Sequence, residues 1–392
     1  MEKRDEDIGT YVHIPFCISK CPYCDFNSVV VSPVPEEDYV QALIEEIGAY
    51  ATPREYKFKE GGLKESIPLK NGKRRVRSIY FGGGTPSLFS PVNIERVIDK
   101  IISEFSTTSD LEITLEVNPK TADVEKLEAF YTIGVNRLSL GVQSFQDKFL
   151  QKLGRAYGSA DAINLPEDAR SSGFDNIGLD LIFGIPDQTL DDWERDLDHA
   201  LSVWPQHLSV YNLTIEKDTP FYDLHGQGKI TLPNEDIQVR MYELAQGKII
   251  ETGYEQYEIS SFALPGFRCR HNEGYWTLRE YLGFGAGAHS YLRERLSQGG
   301  WGIRWKNTPD PYEYFSRLSI GGSALVEQEE LTRQEAVKEA IFLGLRRLDG
   351  ISFDDFEKRF GLSLDLTFSD IIRYLCKEGL LLIDSGYLKL TP

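Results

Sequence analysis

Cys17, Cys21 and Cys24 stand in the run YVHIPFCISKCPYCDF, residues 11–26, separated by three and then two residues. Thiolates spaced this way on one short loop can hold three corners of a cubane iron-sulfur cluster. The next two positions are Asp25 and Phe26, so no fourth cysteine follows and one iron would stay open to a small chelating molecule. The same residues also allow a closed Cys3His zinc site with His13 as fourth ligand. A disulfide is the third reading, although a C-x2-C pair in a chain without secretory features points to metal or redox chemistry. Cys269 and Cys376 are isolated in the sequence and offer no second zinc knuckle.

Further polar residues fall just after apolar runs. Gly82-Gly83-Gly84-Thr85-Pro86-Ser87 follows one run, and a glycine stretch there lets the backbone approach a ligand closely. It is not a phosphate-binding Walker loop, because no Lys follows at the required spacing. Glu116, Gln143 and Asp180 lie at the ends of three later runs, with Arg155 a little beyond, and each is either a ligand contact or a surface polar residue. His271, in His271-Asn272-Glu273-Gly274-Tyr275-Trp276, has flat aromatic neighbours and is either an iron ligand or a structural histidine bonded to its surroundings. Cys269 reads as a thiolate ligand or a buried free cysteine. His289, in GAGAHSY, ends a tight glycine-rich turn and either positions a ligand or closes the fold.

These residues need a scaffold, and the pattern supplies one. Short β-branched or aromatic runs alternate with amphipathic helical stretches from Tyr11 to about Ala263, the signature of βα units and a parallel sheet. The predicted strands cover 10–14, 77–81, 112–117, 137–141, 176–183, 207–213 and 256–262; the predicted helices cover 36–49, 92–104, 124–133, 190–204 and 236–252. The fold class is therefore α/β, with a partial (βα)6 barrel over 1–263 whose chemistry gathers at the carboxyl ends of the strands. Residues 54–77 form an insertion with nine Lys or Arg and three Glu, expected to be a solvated loop or a docking patch for an acidic partner or anionic lipid. Pro166 is expected to break or kink a helix over 159–171. Residues 264–325 read as a linking region, and 326–392 as a winged-helix-like domain with helices over 333–347, 353–360 and 368–378 and a β-pair at 380–383 and 387–390.

Composition limits the function. The chain has 392 residues, 41% hydrophobic and 27% charged, with a formal net charge of −18. That charge disfavours a protein that grips phosphate backbones, so nucleic acid is not an expected partner. From Leu331 onward nine basic residues face ten acidic ones, too few for a winged helix that reads DNA. No stretch approaches the roughly 18 apolar residues of a membrane span, and no signal peptide is legible, which makes the cytoplasm the expected location.

The blocks YVHIPFC, CPYCDF, IYFGGGTPS, LEVNP, RLSLGVQSF, GLDLIFGIP, TPFY, YEISSFA, HNEGYW, YLGFGAGAHSY and GIRWKNTPDPYEY resemble, along nearly the whole chain, the oxygen-independent coproporphyrinogen III oxidase-like family of the radical S-adenosylmethionine (SAM) superfamily. The likeness is greater to its haem-chaperone branch, the HemW type. True oxidases of the family carry a fourth cysteine where Phe26 stands, and a long amino-terminal arm where ten residues precede Tyr11 here, while HNxxYW resembles the signature of the haem-binding branch. The resemblance implies a 4Fe-4S cluster on Cys17, Cys21 and Cys24. It also implies SAM bound by Tyr11, Gly83, Gly84, Thr85, Glu116, Gln143, Arg155 and Asp180, and haem ligated by His271. The function it implies is delivery of haem to respiratory proteins, with peripheral membrane contact possible. The alternative is oxidative decarboxylation of coproporphyrinogen III by a radical derived from SAM. A third reading, a radical enzyme methylating or thiolating RNA, would require basic patches or an extra cluster, of which the sequence offers only the basic 54–77 insertion.

Overall fold

A computed structural model describes residues 7–51, 74–293 and 300–391. Twelve strands form the main sheet: β1 Asp7–Ile14, β2 Arg75–Gly83, β3 Ser106–Val117, β4 Arg137–Gln143, β5 Ile177–Phe183, β6 His207–Asn212, β7 Glu255–Glu258, β8 Ser261–Ala263, β9 Tyr281–Phe284, β10 His289–Leu292, β11 Ile303–Asn307 and β12 Leu325–Glu330. Their spatial order is β12-β11-β10-β9-β1-β2-β3-β4-β5-β6-β8-β7. The run from β9 through β1 to β6 is parallel, and antiparallel strands extend it at both ends. The sheet is thus a partial barrel.

Helices α1 Glu36–Ala51, α2 Pro91–Glu104, α3 Val124–Thr132, α4 Asp147–Lys152, α5 Ser159–Ser171, α6 Leu190–Val203, α7 Pro220–Gly226 and α8 Glu235–Glu251 alternate with the parallel strands. Their starts follow from local chemistry: Ser90, Asp123 and Thr189 each accept a hydrogen bond from a first-turn N–H of α2, α3 and α6. The main core contains Ile79 and Phe81 of β2, Ile113, Leu115 and Val117 of β3, Leu138, Leu140 and Val142 of β4, Leu179 and Leu181 of β5, and Leu208 and Val210 of β6. These residues alternate with Tyr80, Glu116, Ser139, Asp180 and Ser209, which all line one cavity. A sheet covered on both faces ordinarily reads as continuously apolar. Here one face is greasy and packs against helices, and the opposite face is polar.

Three expectations change. The strand predicted over 256–262 is a tight antiparallel pair, β7 and β8, because the chain turns back at Ile259-Ser260. Pro166 does not end its helix: α5 runs from Ser159 to Ser171, with Ala162, Leu165, Pro166 and Ala169 buried together, so packing outweighs the missing N–H. The 264–325 stretch is more than a linking region, since it provides β9, which pairs with β1, and also β10 and β11. Of the basic insertion, 54–73 lies outside the described residues, and Arg75 and Arg77 belong to β2.

After α9 Arg270–Trp276 and α10 Pro311–Ser319, the chain enters a smaller unit: α11 Arg333–Arg346, β13 Ile351–Ser352, α12 Phe353–Phe360, α13 Leu364–Thr367, α14 Ser369–Lys377, β14 Leu381–Asp384 and β15 Tyr387–Leu390. Its three strands order as β13-β15-β14. A separate core of Ala336, Val337, Ile351, Phe356, Phe360, Leu364, Ile372, Leu381 and Leu388 holds it together. No helix among the described residues is long and apolar enough to cross a membrane.

Candidate functional site

The ends of the parallel strands meet the cysteine loop around a cavity of about 360 Å³. Cys17, Cys21, Cys24, Gly83, Gly84, Thr85, Glu116, Gln143, Arg155 and Asp180 all line it, although 163 positions separate the first from the last in sequence. Tyr11 and His271 do not line it.

The cysteine loop is shaped by its own backbone and by its neighbours. Cys24 N–H donates to Cys21 O at 3.1 Å, and Lys20 Nζ donates to Phe26 O at 2.8 Å and Ser28 O at 3.1 Å. Asn27 fastens the far end of the loop by donating to Ala286 O and Pro309 O, both at 3.0 Å. The glycine run is fastened to the near end: Gly84 N–H donates to Ile14 O and Thr85 N–H to Phe16 O, both at 2.8 Å. The contact explains the glycines. A Cβ on Gly84 would come within 2.7 Å of the Phe16 and Pro15 backbone, and one on Gly83, at φ +112°, within 2.4 Å of the His13 ring. Thr85 Oγ1 lies 3.6 Å from Cys17 Sγ and accepts from Asn118 Nδ2 at 3.1 Å.

All three cysteines are free and only partly buried. Burial pushes the Cys17 and Cys24 thiols up, so they stay protonated until a cation displaces the protons. Three uncrosslinked sulfurs on the rim of one cavity suit a cluster, which spreads its thiolates over three irons. The zinc reading needs His13 as fourth ligand. That histidine is occupied, with Nδ1 bonded to Tyr11 OH at 3.0 Å and Nε2 to Asn27 O at 2.8 Å.

The acidic groups are deep. Glu116 accepts from Tyr80 OH at 2.9 Å and from Gly83 N–H at 3.2 Å; burial, with Asp180 nearby, pushes its carboxyl up to about 7. Asp180 is also raised by burial, against the hydroxyls of Ser209 and Ser139. Arg155 reaches back to the cysteine loop, donating to Tyr23 OH, and to Asn118 Oδ1 at 3.4 Å. Gln143 adopts φ +66° at the bulged end of β4, where the strand stops pairing regularly with β5.

Helix α9, which carries HNxxYW, lies against β2 and β3. Glu112 caps it, accepting from Arg270 N–H at 3.2 Å, His271 N–H at 3.1 Å and Cys269 Sγ at 3.8 Å. His271 is 4% exposed, with Nδ1 on Ser78 Oγ at 2.9 Å and Nε2 on Tyr275 OH at 3.0 Å, and its ring stacks on Tyr80. Burial drives its pKa down to about 3. Both ring nitrogens are taken, so an iron could bind there only if Ser78 or Tyr275 let go. Asn272, one residue on, is the member of the motif that lines the cavity. Cys269 is fully buried and its thiol pushed up to about 12, and His289 is exposed at the start of β10.

Comparisons with known proteins place the chain in a family. A family model described as Radical SAM superfamily matches residues 11–200, and one described as HemN C-terminal domain matches 331–392. The protein named "Heme chaperone HemW" of Bacillus subtilis is 38% identical over 374 residues, covering 95% of this chain and 92% of the relative. The chain belongs to the HemW family. This HemW-family chain is also 38% identical to the Escherichia coli protein of the same name, over 72% of the chain and 69% of the relative. It is 32% identical to the mouse "Radical S-adenosyl methionine domain-containing protein 1, mitochondrial", over 98% of the chain and 84% of the relative. In fold it matches E. coli coproporphyrinogen III oxidase (HemN) with a TM-score of 0.78, at 24% identity, covering 100% of this chain and 88% of that one.

Sequence reasoning missed Tyr80, Asn118, Arg137, Ser139, Ser209, Tyr211 and Asn272, all on the cavity. The signal was the period-2 alternation within the strands, as in Leu208-Ser209-Val210-Tyr211, where every second residue is polar or carries a hydroxyl.

Proposed function

We propose that this chain is a haem chaperone that carries a 4Fe-4S cluster on Cys17, Cys21 and Cys24. SAM is held over Gly83, Gly84 and Thr85, among Glu116, Gln143, Arg155 and Asp180, with Tyr11 supporting them from behind: it stacks on Tyr80 and bonds His13. When bound, the cluster supplies a single electron to the sulfonium of SAM. The chain's own residues orient the ligands, bury Glu116 and Asp180 beside them and tie the cysteine loop to the glycine run. The observation that carries the reading is the 38% identity to the B. subtilis relative over nearly the full length of both chains.

The acceptor is read as a respiratory haem protein, reached from the cytoplasm through peripheral membrane contact. The haem ligand is not assigned to His271, whose nitrogens are engaged; the motif meets the cavity through Asn272. The test is an anaerobic haem titration of the cluster-loaded protein, followed by its Soret band beside the cluster absorbance. A saturable one-to-one transition is expected. Its absence, together with protoporphyrinogen formation from coproporphyrinogen III in the presence of SAM and reductant, would replace the chaperone by the oxidase.

A further inference from the structure

One charge inside the barrel is not used by the contacts above. Arg137, at the start of β4, is 1% exposed and lines the cavity. Its Nε and Nη1 are buried and have no hydrogen-bond partner among the described residues. A buried guanidinium is costly unless something pairs with it. Glu112 contributes a compensating field, but its oxygens are engaged by the backbone of Arg270 and His271 and by Cys269.

A second orphan stands nearby. His207 Nδ1 is buried without a partner among the described residues, while its Nε2 is bonded to Tyr257 OH at 2.8 Å. Gly178 lies between the two groups. It is in register with Ser139 and His207, and a methyl group on it would sit 3.2 Å from Arg137 Nη2 and 3.4 Å from His207 Nδ1. A larger residue there would crowd both side chains.

We propose that Arg137, backed by His207 across Gly178, forms an anion subsite in the cavity that receives a carboxylate of the tetrapyrrole. The inference rests on the haem reading above. A guanidinium matches a carboxylate in shape and charge. Burial and the Arg137 charge hold His207 neutral, so no second cation competes with the guanidinium behind the cavity wall. The cavity reaches from the cysteine loop to Arg137 and includes Asn272, so the HNxxYW helix and this subsite face one space. The carboxylate of SAM is the other source of the same chemistry.

The test compares haem with its dimethyl ester, which keeps the ring and iron and masks both carboxylates. Soret titrations are run anaerobically on the cluster-loaded full chain as wild type, Arg137→Gln and Gly178→Ala, with SAM affinity measured alongside by equilibrium dialysis. Wild type is expected to prefer haem by about tenfold or more, the scale of a lost hydrogen bond to a buried charge. Arg137→Gln should bind haem and ester alike, and Gly178→Ala, which keeps the charge but crowds Arg137 Nη2, should also reduce the preference. Equal binding of haem and ester by wild type overturns the subsite and leaves the haem reading standing. Loss of SAM affinity in Arg137→Gln by the same factor assigns the guanidinium to SAM and also overturns it. No haem binding by wild type removes both. The ester comparison needs no variant, so a poorly folded Arg137→Gln does not blunt the test.

Discussion

Glu116 carries the sharpest pH dependence available at the site. Its carboxyl is raised to about 7, so the charged form that favours a sulfonium ligand develops only as pH rises through that value. SAM affinity of the cluster-loaded protein should therefore increase between pH 6 and 8, and Glu116→Gln should flatten that profile and weaken binding about tenfold at the upper end; a pH series of equilibrium dialysis checks it. At the cysteines, a single Cys17→Ser or Cys24→Ser change should remove stoichiometric iron and the cluster absorbance while leaving circular dichroism near wild type, since each side chain lies in the loop and not in the core. Cys17, Cys21 and Cys24 were legible from spacing alone, because one loop carries them all. His271 was not: its type and motif were visible, but the bonds from Ser78 and Tyr275 that occupy its nitrogens come partly from another strand.

At the scale of elements, two connections hold the site in register. Gly84 lets the glycine run touch the backbone entering the cysteine loop, so Gly84→Ala should cost about 1–3 kcal/mol of stability and lower SAM affinity and cluster content together, read by melting temperature, dialysis and iron assay. Glu46 on α1 joins that helix to the turn before β10 and to α10, accepting from Gly285 N–H at 2.9 Å, Asn307 Nδ2 at 2.6 Å and Tyr314 OH at 2.6 Å. Burial raises its carboxyl to about 7. A carboxyl raised in the fold contributes stability that is fully present below its unfolded value, about 4.5, and is lost as pH rises through about 7. Glu46→Gln should remove that part of the pH slope in urea denaturation, leaving a flatter profile between those limits. Strands β1 to β6 and helices α1, α2, α3, α6 and α8 were readable from periodicity, with boundaries a few residues off; β9 to β12, in the stretch read as a linker and just after it, were not. The β7–β8 turn was not, because a two-residue reversal within an aromatic run leaves no Gly or Pro to mark it.

For the whole molecule, the question is how the terminal unit is joined to the barrel. Arg346 bridges them: Nη2 pairs with buried Glu258 of β7 at 3.1 Å, and its guanidinium lies 4.5 Å from the Trp276 ring of α9. Backbone bonds flank it, Ile259 N–H to Arg346 O and Leu348 N–H to Tyr257 O, both at 3.1 Å. Arg346→Ala strands a buried carboxylate and should cost about 2 kcal/mol or more, with faster hydrogen exchange in α11 and α9. Phe360→Ala acts in the terminal unit's own core and should cost about 3–5 kcal/mol there while SAM affinity is retained. The two variants separate loosening of the junction from loss of the unit.

The sequence by itself determined the spacing of the cysteine loop, the βα rhythm, the glycine run and the family, since each is written in contiguous residues or in a short period. Tertiary structure decided which polar residues share a cavity. Glu116, Asp180 and Arg137 come from separate strands, and only the pairing of β3, β4 and β5 brings their inward-facing positions together. It also decided that Asn272, and not His271, faces that space, because one step along a short helix turns a side chain by roughly a hundred degrees. Sequence names such residues individually; closure of the sheet gives them a common interior.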